Sequence, residues 1–249
     1  MTARTPRIPR IYTPQPLGVG DRVTLEAGAS AHLAQVLRLQ PGDAVVLFNG
    51  DGHDCRGHIE TSRRDAVRAR IERRGPQEAA PSLPICLALG ISKGERMDFS
   101  LQKAVELGVS AIVPLFTERS VVRLRDERLA RRIRHWQGVV VSACEQSGRS
   151  RLPALADPLG LQAWLDTAPA GGLLLDPRGD LPLPDAMPPS AEGLTLLVGP
   201  EGGLSPQERR AALAAGFRGV RLGPRTLRAE TAPLAAIAAI QGLWGDFRL

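Results

Sequence analysis

Three stretches in the C-terminal third of the chain combine glycine, proline and charged residues in a way that suits the holding of a ligand. They are Leu175-Asp176-Pro177-Arg178-Gly179, Val198-Gly199-Pro200-Glu201-Gly202-Gly203, and Leu222-Gly223-Pro224-Arg225-Thr226-Leu227-Arg228-Ala229-Glu230-Thr231. Glycine allows positive φ and close approach of backbone to a ligand, while proline presets φ and lowers the entropy lost on ordering a loop. A tight connection accounts for any one of them. Three in succession, each following an apolar run, point to a site built largely from main chain at the carboxyl ends of strands. The side chains there with chemistry of their own are Glu201, Arg228 and Glu230. A guanidinium can stabilise negative charge developing on a substrate, and a carboxylate can accept a proton or orient the arginine. The competing reading of Arg228 and Glu230 is a structural pair at a helix start, with Glu230 favoured by the helix dipole.

Other chemistries lack their motifs. The chain has no G-x-G-x-x-G after its first α/β strand and no G-x-x-x-x-G-K-[ST], which argues against dinucleotide oxidoreductases and P-loop enzymes. There is no G-x-S-x-G elbow, no H-E-x-x-H and no carboxylate cluster suited to magnesium. Cys55, Cys86 and Cys144 are widely spaced and include no C-x-x-C, which fits a reducing compartment. His32, His53, His58 and His135 lack zinc spacing with those cysteines, so no metal is expected. No apolar run approaches the roughly 18 residues of a membrane span, and MTARTPRIPRIY carries no apolar signal core. The expectation is a cytoplasmic protein with no membrane partner.

The elements that must position these loops follow from patterning. Residues 1–75 read as a small β-rich barrel: VTLEAG, AVVLFNGDG, CRGHIE and AVRARIERR alternate between turns, with HLAQVLRL as one short helix stopped by Pro41-Gly42. The stretch from Gly75 to Pro81 has linker composition. Residues 83–249 follow α/β grammar, with apolar runs at Ile85–Leu89, Ala111–Phe116, Leu173–Leu175, Leu194–Val198 and Gly219–Gly223. Helices are expected near Glu95–Leu107, from Asp126 with Leu129, Ile133, Trp136, Val140 and Ala143 on one face, and from Thr231 to Trp244. Ser205-Pro206-Gln207-Glu208 is a capping-box helix start.

Lysine plus arginine number 32 against 26 aspartate plus glutamate in 249 residues, and the sequence pI is about 10.2, a balance that favours a polyanionic partner. Only Lys93 and Lys103 are lysines. Arg7 and Arg10 beside Tyr12, and Arg149 with Arg151, are the expected contacts to such a partner if it is a nucleic acid; Tyr12 is equally suited to stack on a base or to pack in the barrel. The run Arg119, Arg123, Arg125, Arg128, Arg131, Arg132 and Arg134 reads as a phosphate-facing surface or a solvated helix face.

The segments LVGPEGGLSPQE (Leu197 to Glu208) and LGPRTLRAETA (Leu222 to Ala232) closely resemble the two signature segments of the RsmE family. PRIY at Pro9 to Tyr12, HLAQVLRLQPGD, LFNGDG, SKGERMDFSLQKAVELGVSAIVPLFTERS and SACEQSGRSRLP extend the resemblance in order over nearly the whole chain. The resemblance implies a PUA-like RNA-binding β-barrel followed by a SPOUT-type α/β domain with a deep trefoil-knotted parallel sheet. It implies S-adenosylmethionine as cofactor, bound by Leu175, Asp176, Pro177, Leu197, Val198, Gly199, Pro200, Glu201, Gly202, Gly203, Leu222, Gly223, Pro224, Arg225 and Leu227. The implied activity is methylation of N3 of a uridine in 16S ribosomal RNA of the small subunit, with Arg228 and Glu230 our candidates for catalysis. Methylation of another RNA or base, and a non-catalytic role in ribosome assembly, are the alternatives. The resemblance also implies a homodimer, in keeping with the closing segment Ala232 to Ile240, which is apolar nearly all round.

Overall fold

The computed structural model describes residues 8–120, 126–167, 171–186 and 193–248. The chain divides into two compact units, Met1–Ala80 with Cys144–Leu152, and Pro81–Ala143 with Pro153–Leu249.

The first unit is a five-stranded sheet. Its strands are β1 (Arg10–Tyr12), β2 (Arg22–Thr24), β3 (Ala44–Phe48), β4 (His53–Ser62) and β5 (Val67–Gln77), in the order β1-β3-β4-β5-β2. β1 runs parallel to β3, and the other pairs are antiparallel. Along β5 Val67, Ala69 and Ile71 are buried while Arg68, Arg70 and Glu72 are exposed, the period-two pattern of a sheet with one wet face. Between β2 and β3 a short helix α1 (Ala27–Ala31) passes into a π-helical turn, His32–Val36. The regular helix expected over HLAQVLRL is therefore corrected. The wider turn buries Leu33 but leaves Val36 and Leu37 exposed, and Arg38 takes φ 55°.

The second unit is built on a parallel sheet. Its strands are β6 (Ile85–Gly90), β7 (Ala111–Phe116), β8 (Ala154–Leu155), β9 (Leu159–Gly160), β10 (Gly172–Leu175), β11 (Leu181–Pro182), β12 (Leu194–Val198) and β13 (Phe217–Arg221). They are ordered β11-β13-β10-β12-β6-β7-β8, with β9 also on β7, and every pair is parallel. Buried central strands of such a sheet read as unbroken apolar runs, as ICLALG and LTLLV do. β13 begins and ends two residues earlier than its sequence pattern suggested, which releases Leu222 and Gly223 into the loop that follows.

Helices α2 (Glu95–Glu106), α3 (Asp126–Ser147), α4 (Leu161–Leu165), α5 (Pro206–Ala214) and α6 (Thr231–Trp244) connect or follow these strands. Trp136, Val140 and Ala143 form the buried stripe of α3. The capping box of α5 is formed as its sequence requires: the Glu208 N–H donates to Ser205 Oγ at 3.2 Å and the Ser205 N–H to Glu208 Oε2 at 2.8 Å. α6 packs on α2 and buries Ala236, Ile237 and Ile240. Among them lies a polar residue, Gln241, with no exposed surface. Its Nε2 donates to the Leu107 carbonyl at 2.9 Å, and its Oε1 accepts the Asp246 N–H at 2.9 Å.

Gln241→Leu keeps the size of the side chain but removes two hydrogen bonds to partly buried backbone, at about 0.5–1.5 kcal/mol each. The tryptophans, Trp136, Trp164 and Trp244, all lie in the second unit. Urea unfolding followed by their fluorescence should therefore show a lower midpoint for the variant, and an unchanged midpoint would remove the structural role of the amide.

Candidate active site

Strands β13, β10 and β12 are adjacent and end within one residue of the same level. Leu175 at the end of β10 lies opposite both Val198 of β12 and Val220 of β13. The three glycine-proline loops consequently leave the sheet side by side and enclose a cavity of about 420 Å³, within the range of small-ligand pockets. Its lining combines the glycines and prolines of the loops with apolar and charged residues. Gly203 and Gly223 both line it at positive φ, 66° and 69°, with open space where a side chain would stand. At Gly199 a Cβ would come within 2.9 Å of the Leu204 nitrogen, so the loop can close on itself only without a side chain there.

Carboxylates anchor these loops to the rest of the second unit. Asp176 is 5% exposed. It accepts from the Arg178 N–H at 2.9 Å and from Arg209 Nε on α5. Burial opposes its ionisation, but the hydrogen bonds and charges of Arg209 and Arg178 outweigh burial and hold its carboxyl below the usual range. Glu201 accepts from the Lys93 N–H at 3.1 Å and Arg96 Nη1 at 3.3 Å. Here too partial burial is overcome, by backbone donors and Arg96, and the carboxyl is lowered. Glu208, besides capping α5, accepts the Glu118 N–H at 2.8 Å. Beside it Arg119 Nη1 donates to the Gly202 carbonyl at 2.9 Å. The end of β6 packs against the loop after β12, where a Cβ on Gly90 would lie 2.5 Å from the Pro200 nitrogen.

The family model of an RNA methyltransferase domain matches residues 79–241, and that of an RNA methyltransferase PUA domain matches residues 17–72. Ribosomal RNA small subunit methyltransferase E of Buchnera aphidicola subsp. Schizaphis graminum is 32% identical over 96% of this chain and 98% of its own length. The protein of the same name from Mycobacterium bovis is 34% identical over 89% and 86%. The chain belongs to the ribosomal RNA small subunit methyltransferase E family. The member from Neisseria gonorrhoeae, solved bound to S-adenosyl methionine, is 42% identical with a TM-score of 0.89, over 97% of this chain and 100% of its own. A Legionella pneumophila methyltransferase, solved in complex with the same cofactor, gives 37% and 0.89 over 96% and 99%.

In this family member the cavity wall includes every residue expected to bind the cofactor except Leu197, whose side chain is fully buried within β12. Arg228 and Glu230 stand just outside the wall. The Arg228 side chain is 79% exposed, and its Nη1 is 4.0 Å from Glu230 Oε1, the outer limit of an ion pair rather than a hydrogen bond. The Arg228 carbonyl accepts the Thr231 and Ala232 N–H groups at the head of α6, so its backbone is fixed while its guanidinium is exposed. Sequence reasoning missed Arg209, which sits 33 residues from Asp176 with no local signal. It also assigned Arg119 to a surface run instead of the cavity.

The expected RNA contacts fall in the first unit, apart from Arg7, which lies outside the described residues. Arg10 is tied into the unit by several contacts. Its side chain is 10% exposed, Nη1 pairs with Asp54, Nη2 donates to the Arg149 carbonyl at 3.1 Å and Ser150 Oγ at 3.2 Å, and the guanidinium stands 5.0 Å from the centre of the Phe48 ring. Tyr12 packs edge-on against Phe48 at 5.7 Å, and its N–H donates to Glu145 Oε1 at 3.0 Å. Arg151 is half-buried, with its N–H on Glu78 Oε2 at 2.8 Å and Nε on the Glu78 carbonyl at 3.0 Å. Arg149 is half-buried beside Ser150. Burial pushes the Cys144 thiol up to about 11, so it stays protonated and unreactive. Among the described residues no group of three or more histidine, cysteine or acidic side chains is placed to hold a metal. No helix of them is long and apolar enough to cross a membrane.

Asp176 and Glu201 have folded-state values below their ordinary ones, so their contribution to loop stability is complete above about pH 4.3, the ordinary glutamate value. It is lost as pH falls through the lower folded values. Cofactor affinity should therefore fall in acid. Asp176→Asn should start weaker at neutral pH and lose less on acidification, measured by calorimetry; parallel pH profiles would remove the role given to this carboxylate.

Proposed function

We propose that this chain transfers a methyl group from S-adenosylmethionine to N3 of a uridine in the ribosomal RNA of the small subunit. The observation that carries the reading is the convergence of three glycine-proline loops on one cavity, in a chain whose solved relatives are described as bound to that cofactor. The residues present suit it: the glycine positions leave room against bare backbone, and the wall mixes apolar strand ends with polar main chain. When bound, the cofactor supplies an electrophilic methyl group on a sulfonium.

The chain's own contribution is placement, charge and a proton acceptor. The acceptor nitrogen must lie in line with the sulfur–methyl bond; an N–C bond forms as the C–S bond breaks, and S-adenosylhomocysteine leaves. Positioning of this kind lowers a barrier without any covalent intermediate on the protein. The N3 proton must leave, and the charge it would place on the uracil oxygens needs a donor. Arg228, fixed in backbone and exposed in side chain, is suited to donate to those oxygens. Glu230, 18% exposed and beside it, is suited to accept the proton or to orient the guanidinium. The reading extends to a cytoplasmic homodimer, in keeping with the apolar surface of α6.

Labelled cofactor and small ribosomal subunits lacking the modification test this directly. Mass spectrometry of the digested RNA should give N3-methyluridine, and label on another base would reject the assignment. Arg228→Ala and Glu230→Ala should each lower turnover about 100-fold, with cofactor affinity kept. Full activity in both would dismiss their catalytic roles.

A further inference from the structure

Five arginines and two carboxylates line the cavity, an excess of positive charge. Asp176 is paired with Arg209 and Arg178, and Glu201 with Arg96 and the Lys93 N–H. Arg221 is half-buried and donates to the Gly179 and Asp180 carbonyls. Two exposed guanidiniums remain. Arg119 is exposed and donates to a neutral carbonyl, that of Gly202; among the described residues it meets no carboxylate. Arg225 is exposed, and among the described residues it meets no carboxylate.

Their places are set by the sheet. Arg119 follows β7 and Arg225 follows β13, with β6, β12 and β10 between them. The root of Arg119 nevertheless stands against the loop after β12, where a Cβ on Gly202 would lie 3.1 Å from the Arg119 Cβ, and both arginines line the same cavity. The cofactor does not call for such a pair. It carries a sulfonium, an ammonium and one carboxylate, hence a net positive charge, and two unmatched cations beside it are unfavourable unless an anion arrives. An RNA strand brings one phosphate per nucleotide, and a base presented to the cavity carries a phosphate on each side of it. Guanidinium is the side chain best matched to phosphate, with two parallel donors and a charge that does not titrate.

We propose that Arg119 and Arg225, both exposed in the cavity lining, are seats for RNA phosphates flanking the target nucleotide. This rests on the reading of the chain as an RNA methyltransferase. It assigns Arg225 to substrate, where the sequence had placed it on the cofactor. It also gives Arg119 a second duty, because its hydrogen bond to Gly202 lets a seated phosphate bear on the cofactor loop.

The test uses the full chain, small ribosomal subunits lacking the modification as probe, and sodium chloride varied at constant magnesium. Removing one arginine–phosphate pair should lower the slope of log affinity against log salt by about 0.7, the value for single strands. Arg225→Gln and Arg119→Gln should each show that decrease, and Arg225→Lys and Arg119→Lys should recover most of the parent slope. Calorimetry with S-adenosylmethionine alone should find the affinity of Arg225→Gln within about twofold of the parent, since a charge pair with the cofactor would be worth about tenfold or more. A tenfold weakening would mean that the guanidinium holds the cofactor carboxylate, and would overturn the proposal. Unchanged salt slopes in both Gln variants, with a parent that binds subunits salt-dependently, would also overturn it while leaving the methyltransferase reading intact. A parent that does not bind the subunits would overturn both together.

Discussion

The register of three neighbouring parallel strands is the constraint on which the site depends. Leu175 stands opposite Val198 on one side and Val220 on the other, so β10, β12 and β13 finish within one residue of each other and their loops emerge together. A shift of one residue would turn a strand's side chains to the opposite face. It would also lift one glycine-proline loop out of the cavity wall. Apolar burial on both faces holds the register, with Leu196 and Leu197 fully buried and Leu174 and Val198 nearly so. The packing that stabilises the fold is thus also what sets the positions of backbone donors and acceptors.

Loops rich in glycine lose much conformational freedom on ordering, and here carboxylates restrain them. Asp176 ties the loop after β10 to α5, Glu201 ties the loop after β12 to residues 93 and 96, and Glu208 ties the head of α5 to residue 118. Each carboxylate accepts at least one backbone N–H, which fixes main chain and not merely another side chain. Because these acids are consumed inside the second unit, they do not offset the arginines at the cavity mouth. A net excess of positive charge at the opening follows from how the loops are held.

In the first unit two segments far apart in sequence form one network. Asp54 joins Arg10 to Ser150, Glu145 holds the Tyr12 N–H, and Glu78 takes the backbone of Ser150 and Arg151. Burial pushes the Glu145 carboxyl up against the opposing Tyr12 N–H, His32 and Arg10. Residues that look in sequence like a basic RNA-binding patch are here substantially committed to holding β1 and the 144–152 segment within that unit.

The sequence by itself determined the local elements and the chemistry of the loops. The capping box at Ser205 and Glu208, the apolar strands and the three glycine-proline stretches all rest on interactions within a few residues, where spacing is sufficient information. It also carried enough motif order to identify the family. What it could not decide depends on which distant groups meet. Arg10 and Arg119 both read in sequence as arginines of basic stretches, yet one is enclosed by Asp54 and Phe48 and the other opens on the cavity. The π-helical turn at His32–Val36 departs from the helical period that the sequence suggested. The partner of Asp176 lies on another helix, and the order β13-β10-β12-β6 is not the order of the chain. Only the tertiary structure settles these points, because burial and pairing are properties of the neighbours that folding supplies.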